Sequence, residues 1–272
     1  MKIIDCTTYY SEDLMLDVRF NILNDYVSKF IVVESKYSHS GEKKSLNFNI
    51  NNFPKFKDKI QYLVIEDEPQ GIIANTNNST SIKRINSLLR IEQSYNFILN
   101  GINNSSDNDL ICLSDNDEIP NFESRDFKNS NNDIFIFKQL FFYYKFNLFY
   151  DLIPWYGTKA CKKKKLISLS WLRNLKNKKY PWWRFDTFFS DTKQTNLKII
   201  NDGGWHFTNL KTADEIFKKL SNFGHHDEFD SSGLTVNDIQ NSINNRVVNY
   251  NHLADKTVEN MSDFIVGANK NE

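Results

Sequence analysis

The chain has 272 residues, 40% hydrophobic and 25% charged, with 34 lysines and arginines balanced by 34 aspartates and glutamates. This is the composition of a soluble globular protein, long enough for one large α/β domain or two small ones. The balance of charge argues against a nucleic-acid or anionic-membrane partner, and no apolar run approaches the ~20 residues of a transmembrane helix. No basic and then apolar leader opens the chain. Cys6, Cys112 and Cys161 lack metal-type spacing and read as small buried hydrophobes, so a reducing, cytoplasmic location is expected.

Lys2 to Cys6 reads as a first strand, followed by a helix with Ser11 as N-cap and the apolar series Leu16, Phe20, Leu23 and Val27. Phe30 to Glu34 is a short, fully apolar strand of the kind buried in a parallel sheet. Ile60 to Ile65 is a third strand, ending in the acidic turn Glu66-Asp-Glu68. The longest helix is predicted over 82–101, with Leu88, Ile91, Tyr95 and Ile98 as its stripe and Gly101 just past its end. Arg90 on that helix is a candidate phosphate ligand, although helix charges are more often solvated.

Leu110 to Leu113 is again an apolar strand, and it runs into Ser114-Asp-Asn-Asp-Glu-Ile-Pro120. Ligands of open α/β sheets bind beyond the carboxyl ends of strands. If the backbone stays extended, Asp115 and Asp117 project to one side and Glu118 to the other. Two such carboxylates suit Mg²⁺ or Mn²⁺, ions that keep coordination positions for substrate phosphates. Asp, Asn and Pro are equally ordinary turn residues, and a calcium loop of the EF-hand type is excluded because Pro120 stands where that loop needs glycine.

Further on, Ile134 to Phe142 is an aromatic strand and Trp155-Tyr-Gly-Thr158 opens another. A basic helix is predicted over 168–179, with a loop at Tyr180-Pro-Trp-Trp-Arg184. Gly203-Gly-Trp-His-Phe207 combines two glycines, which let a backbone approach a ligand closely, with an aromatic face and an imidazole. Thr212 to Glu215 has the form of a capping box before a helix through Ile216, Leu220 and Phe223. A last helix is expected over 235–250, and the tail after about 256 is expected to be poorly ordered or accessory. Nothing forces a second domain, so residues 1–272 are read as one.

The acidic motif, Ile3-Ile-Asp-Cys6 with Ile31-Val-Val-Glu-Ser35, Trp155-Tyr-Gly-Thr158 and Asp202-Gly-Gly-Trp-His-Phe207 occur in the order shown by glycosyltransferase family 17. That is the family of the bisecting β-1,4-mannosyl-glycoprotein N-acetylglucosaminyltransferase, and the chain resembles it from the first strand to about Phe229. Asn116 stands where the family's acidic motif has an apolar residue. The resemblance implies a GT-A-like fold, a mainly parallel central sheet flanked by helices. It implies transfer of N-acetylglucosamine from UDP-GlcNAc to a glycan acceptor, with inversion and with Mn²⁺ or Mg²⁺. Asp117, Asp115 and His206 are then the metal-side residues. Asp115, Arg90, Glu34 and Trp205 are the donor contacts, with Glu228, His226 and Asp186 as acid/base candidates. Trp155, Tyr156, Trp182, Trp183 and Trp205 are possible sugar platforms, or core. Two other readings stay open: a carbohydrate-binding protein without turnover, and a metal-dependent phosphoesterase.

Overall fold

The structure is a computed structural model. It describes residues 1–74, 79–181, 183–187, 189–222, 229 and 232–248, and the backbone of 259–260 and 265–266. The chain opens with β1 (Ile3–Tyr9), α1 (Asp13–Leu23) and β2 (Val27–Ser35), a βαβ unit, and continues through two 3-10 turns into β3 (Ile60–Ile65). Next come α2 (Thr80–Phe97), α3 (Leu99–Ile102), β4 (Leu110–Ser114), β5 (Glu118–Pro120), α4 (Arg125–Lys128), β6 (Ile134–Tyr143) and β7 (Leu148–Lys162). The last part holds α5 (Leu169–Asn174), β8 (Leu197–Ile200), β9 (Gly204–Thr208), α6 (Ala213–Asn222), α7 (Val236–Asn245) and the short strands β10 (Val247–Val248), β11 (Glu259–Asn260) and β12 (Ile265–Val266).

The main sheet runs β3-β2-β1-β4-β7-β6-β9-β5, with β8 beside β6 and β12 beside β7. β3, β2, β1 and β4 are mutually parallel, and Cys6 lies between Ile31 and Leu113. The four apolar runs containing Cys6, Val33, Val64 and Cys112 are therefore neighbours, as their pattern predicts. β7 is antiparallel to both β4 and β6, whereas β8 and β9 run parallel to β6. The architecture is mixed α/β, with a mostly parallel sheet and helices on both faces.

Strand alternation separates two cores. Leu110 and Cys112 join Leu16, Phe20, Leu23 and a group of phenylalanines under α1. Ile4, Cys6, Ile111 and Leu113 face the other way, toward Ile98, Ile102, Leu169 and Leu172.

Several local expectations change. Glu12, not Ser11, is the N-cap of α1, and its carboxylate accepts from the Tyr10 and Ser11 amides. Leu88 is exposed, and α2 buries Asn86, Ser87, Arg90 and Ser94 instead. This helix covers a polar segment: Asn86 brackets the Ile73 backbone and Arg90 clamps Glu68. Gly101 lies within α3 rather than beyond a helix end, and glycine suits it there because a Cβ would stand 2.7 Å from Ile31 Cδ1. α5 is much shorter than 168–179. The expected box at Thr212 and Glu215 is present, and α7 starts with another at Thr235 and Asp238 but stops at Asn245.

Candidate active site

The acid motif lies at the carboxyl end of β4, but it does not stay extended. The Glu118 amide donates to Asp115 O (3.0 Å), closing a turn that sends the three acids to different partners. Arg19 of α1 fixes this turn from beneath. Its guanidinium, wholly buried, is bidentate on Asp5 of β1 (2.7 and 2.5 Å) and donates to the carbonyls of Glu118 (2.5 Å) and Asp115 (3.5 Å). A buried charge persists only when paired and hydrogen-bonded in this way.

Asp115 and Glu118 share one arginine. Arg173 Nη2 donates to Asp115 Oδ2 (2.6 Å) and Glu118 Oε1 (2.9 Å), and Nη1 to Glu118 Oε2 (2.8 Å) and the Gly157 carbonyl (2.9 Å). Tyr95 of α2 donates to Asp115 Oδ1 (2.8 Å), and Trp155 Nε1 to Glu118 Oε1 (2.9 Å). Desolvation raises the Asp115 carboxyl despite Arg173. Desolvation also works on Glu118, but there Arg173 outweighs it and holds the acid below its ordinary value. Gly157 makes room for this cluster, since a Cβ there would meet Gln139 Oε1 at 2.3 Å and Glu118 Cδ at 2.6 Å.

Asp117 points elsewhere. Its Oδ1 is 3.4 Å from His206 Nε2 and its Oδ2 3.5 Å from Lys219 Nζ of α6. Burial would raise this carboxyl, yet His206 and Lys219 together hold it well below the usual carboxylate range. The His206 ring is stacked between Trp155 (4.3 Å) and Phe141 (4.6 Å), and its buried Nδ1 has no hydrogen-bond partner among the described residues.

Asp117 Oδ1 and His206 Nε2 face each other at 3.4 Å, a separation that two donors to one divalent ion would have, with Lys219 on the other carboxylate oxygen. Asp115 does not fit as a ligand in this arrangement: Tyr95 and Arg173 occupy its two oxygens. Among the described residues no three His, Cys, Asp or Glu side chains gather to hold a metal by themselves. One carboxylate with substrate phosphates and water completing the shell is an ordinary arrangement for Mg²⁺.

Beside Lys219 opens a cavity of about 510 Å³, walled by the loops after β1 and β2 and by α6. Lys43, Lys44, Lys211, Lys218 and Lys219 line it against Glu42 and Glu215. A pocket with this excess of positive charge favours an anion.

The other predicted residues take different places. The buried Glu34 carboxylate accepts from Lys44, the Asn47 and Phe48 amides and Tyr62, so it braces the loop that walls the cavity. Arg90 is bidentate on Glu68 and donates to the His39 carbonyl. Both side chains are turned to internal partners rather than to a ligand. Trp205 packs against the α1-side core, because strand alternation gives the site to His206; Trp155 is the tryptophan at the acids. Tyr156 packs on the opposite core. Asp186 lies on an exposed turn, paired with Arg184 and Lys193, hydrogen bonds from which lower it to about 2. An acid so low is a weak base. Glu228 and His226, and Trp182, lie outside the described residues. The glycine pair serves strand packing: a Cβ on Gly203 would stand 2.5 Å from the Lys138 backbone, and one on Gly204 (φ 108°) 2.1 Å from Ile119 O.

Sequence reasoning missed Arg173, Tyr95 and Lys219. Each was visible only as a charge or an aromatic ring on a helix, and only the tertiary fold supplies its acid.

Fold and cleft together define an α/β protein that gathers acids, a stacked histidine and lysines at the strand ends, where such sheets take their ligands. The chain belongs to glycosyltransferase family 17, whose model matches residues 1–261, so it is a transferase that works on a sugar donor and an acceptor. No curated protein matches it. Solved structures it resembles at a low level include HddC from Yersinia pseudotuberculosis, 11% identical, TM-score 0.37, covering 74% of this chain and 91% of that one. The same protein complexed with GMP-PN gives the same identity, coverage and score. The inositol-1-phosphate CTP transferase from T. maritima is 13% identical, TM-score 0.37, over 75% of this chain and 86% of that one. Among the described residues no helix is long and apolar enough to cross a membrane.

Proposed function

We propose that this glycosyltransferase moves N-acetylglucosamine from UDP-GlcNAc to a glycan acceptor, with inversion, on a GT-A-type scaffold. The observation that carries the reading is Asp117, an ionised acid at the carboxyl end of the central strand, beside His206 and next to a lysine-lined cavity. Asp117 and His206 would hold the Mn²⁺ or Mg²⁺, which when bound supplies Lewis-acid stabilisation of the departing diphosphate. Lys219 and its neighbours on α6 offset the remaining phosphate charge. Asp115 serves by holding Arg173, which in turn keeps Glu118 ionised and the acid turn rigid. The base for the acceptor hydroxyl is assigned to Glu228 or His226, which follow α6 closely in the sequence.

Calorimetry of UDP-GlcNAc binding with Mn²⁺ tests this on the wild type and on Asp117→Asn, with GDP-mannose as the donor control. Loss of even an outer partner of a metal ligand costs ~10–100-fold in metal affinity, so the variant should lose at least that much. Equal affinity in the two proteins would overturn the role given to Asp117. Stronger binding of GDP-mannose would overturn the donor.

A further inference from the structure

The segment between Lys176 and Lys193 is closed at its neck, and its described residues include three exposed apolar rings. The Lys176 amide donates to Thr192 O (3.1 Å), the Tyr180 amide to Gln194 O (3.2 Å), and Trp171 Nε1 of α5 to Asp191 O (2.7 Å). Beyond this neck Phe185 is 82% exposed, Phe189 91% and Trp183 64%. Most other phenylalanines of the chain lie in its cores, so rings this open stand apart.

The charge around them is one-sided. The loop carries Lys176, Lys178, Lys179, Arg184 and Lys193 against Asp186 and Asp191, a net +3 in a chain whose whole charge is zero. Asp186 is already neutralised by Arg184 and Lys193. Lys176, Lys178 and Lys179 are exposed, and among the described residues no carboxylate pairs with them.

We propose that this loop docks the protein on an anionic phospholipid surface, with Phe185, Phe189 and Trp183 entering the headgroup region and Lys176, Lys178 and Lys179 meeting lipid phosphates. Exposed apolar rings and exposed lysines on one short segment match the two attractions of such an interface, buried apolar area and the field of anionic lipid. The inference does not depend on the donor or metal proposed above.

Co-sedimentation with phosphatidylcholine vesicles, with and without phosphatidylglycerol, tests it at low and high salt. The wild type should bind the anionic vesicles, and binding should weaken with salt. Phe185→Ser/Phe189→Ser should weaken it at least ~10-fold through lost apolar burial. Charge reversal at Lys176, Lys178 and Lys179 should cost about five-fold or more per residue. Both variants should keep the wild-type melting temperature and UDP-GlcNAc affinity, since none of these side chains is among the partners of Asp115, Asp117 or Glu118. No sedimentation with anionic vesicles, equal binding to neutral ones, or binding unchanged in both variants would overturn the proposal. So would free glycan binding that the phenylalanine variant abolishes, because it would give the loop to the acceptor.

Discussion

Arg173→Met is the sharpest probe of the acid cluster. It removes two hydrogen bonds from Glu118 (2.8 and 2.9 Å) and one from Asp115 (2.6 Å). Asp115 has a side chain 38% exposed, so water replaces what it loses. Glu118 is fully buried and keeps only the Trp155 indole and the Asp115 amide. Stranding a buried charge typically costs ~3–5 kcal/mol. Because the Arg173 side chain is 19% exposed, the lower end, about 3 kcal/mol, is expected at pH 7. The pH dependence identifies the cause. In the wild type Glu118 is held low, so its stabilisation is present above its unfolded value near 4.5 and fades as pH falls through the lower folded value. In the variant, burial without a partner raises it, so the folded state takes up a proton first and loses stability as pH rises. The deficit should therefore shrink between pH 7 and pH 5 in urea denaturation, and adding Glu118→Gln should recover part of it. A deficit under about 1 kcal/mol, or one constant across that range, would refute the reasoning.

Gly157→Ala should cost about 1–3 kcal/mol by thermal or urea unfolding, because its Cβ would press on Gln139 Oε1 and Glu118. Lys159 donates to the Arg173 and Leu175 carbonyls (2.7 and 2.6 Å) and is pushed down to about 7 by burial and by Arg173. The unfolded chain then holds the extra proton between pH 7 and about 10, so stability should rise with pH there. Lys159→Met should flatten that rise in a pH series of denaturation curves. Asp117→Asn should also lose stability, about 1 kcal/mol at pH 7, since His206 and Lys219 favour the ionised acid. That difference should be full at pH 7 and narrow only as pH falls below about 4 toward the depressed folded value, and a series of unfolding curves from pH 7 to pH 2 would show it.

How far the sequence could be read depended on how far apart in the chain the interacting residues lay. β1 to β4 were legible because each buried strand is a short apolar run that needs no distant partner to declare itself. The acid motif could be placed at a strand end for the same reason. Its geometry could not, because the turn between Asp115 and Glu118 is held by Arg19, nearly a hundred residues earlier. An alternation rule applied across that turn paired Asp115 with Asp117 and set Glu118 aside. The structure instead joins Asp115 to Glu118 through Arg173 and leaves Asp117 to His206 and Lys219.

The same limit governs charge. Equal numbers of acids and bases excluded a globally basic protein, but a sum over the chain says nothing about where charges gather. Folding brings Lys43 and Lys44 from the loop after β2 against Lys211, Lys218 and Lys219 of a segment more than 160 residues later. Their repulsion is tolerable because the cavity is open to water, and it leaves a site that gains most from an anion such as a diphosphate. Two of these lysines are themselves paired, Lys44 with Glu34 and Lys219 with Asp117, while Glu68 goes to Arg90 and Glu118 to Arg173. A neutral chain can thus hold a lysine-rich pocket when several of its acids are committed to buried structural pairs, and the pocket beside Asp117 is the product of that division.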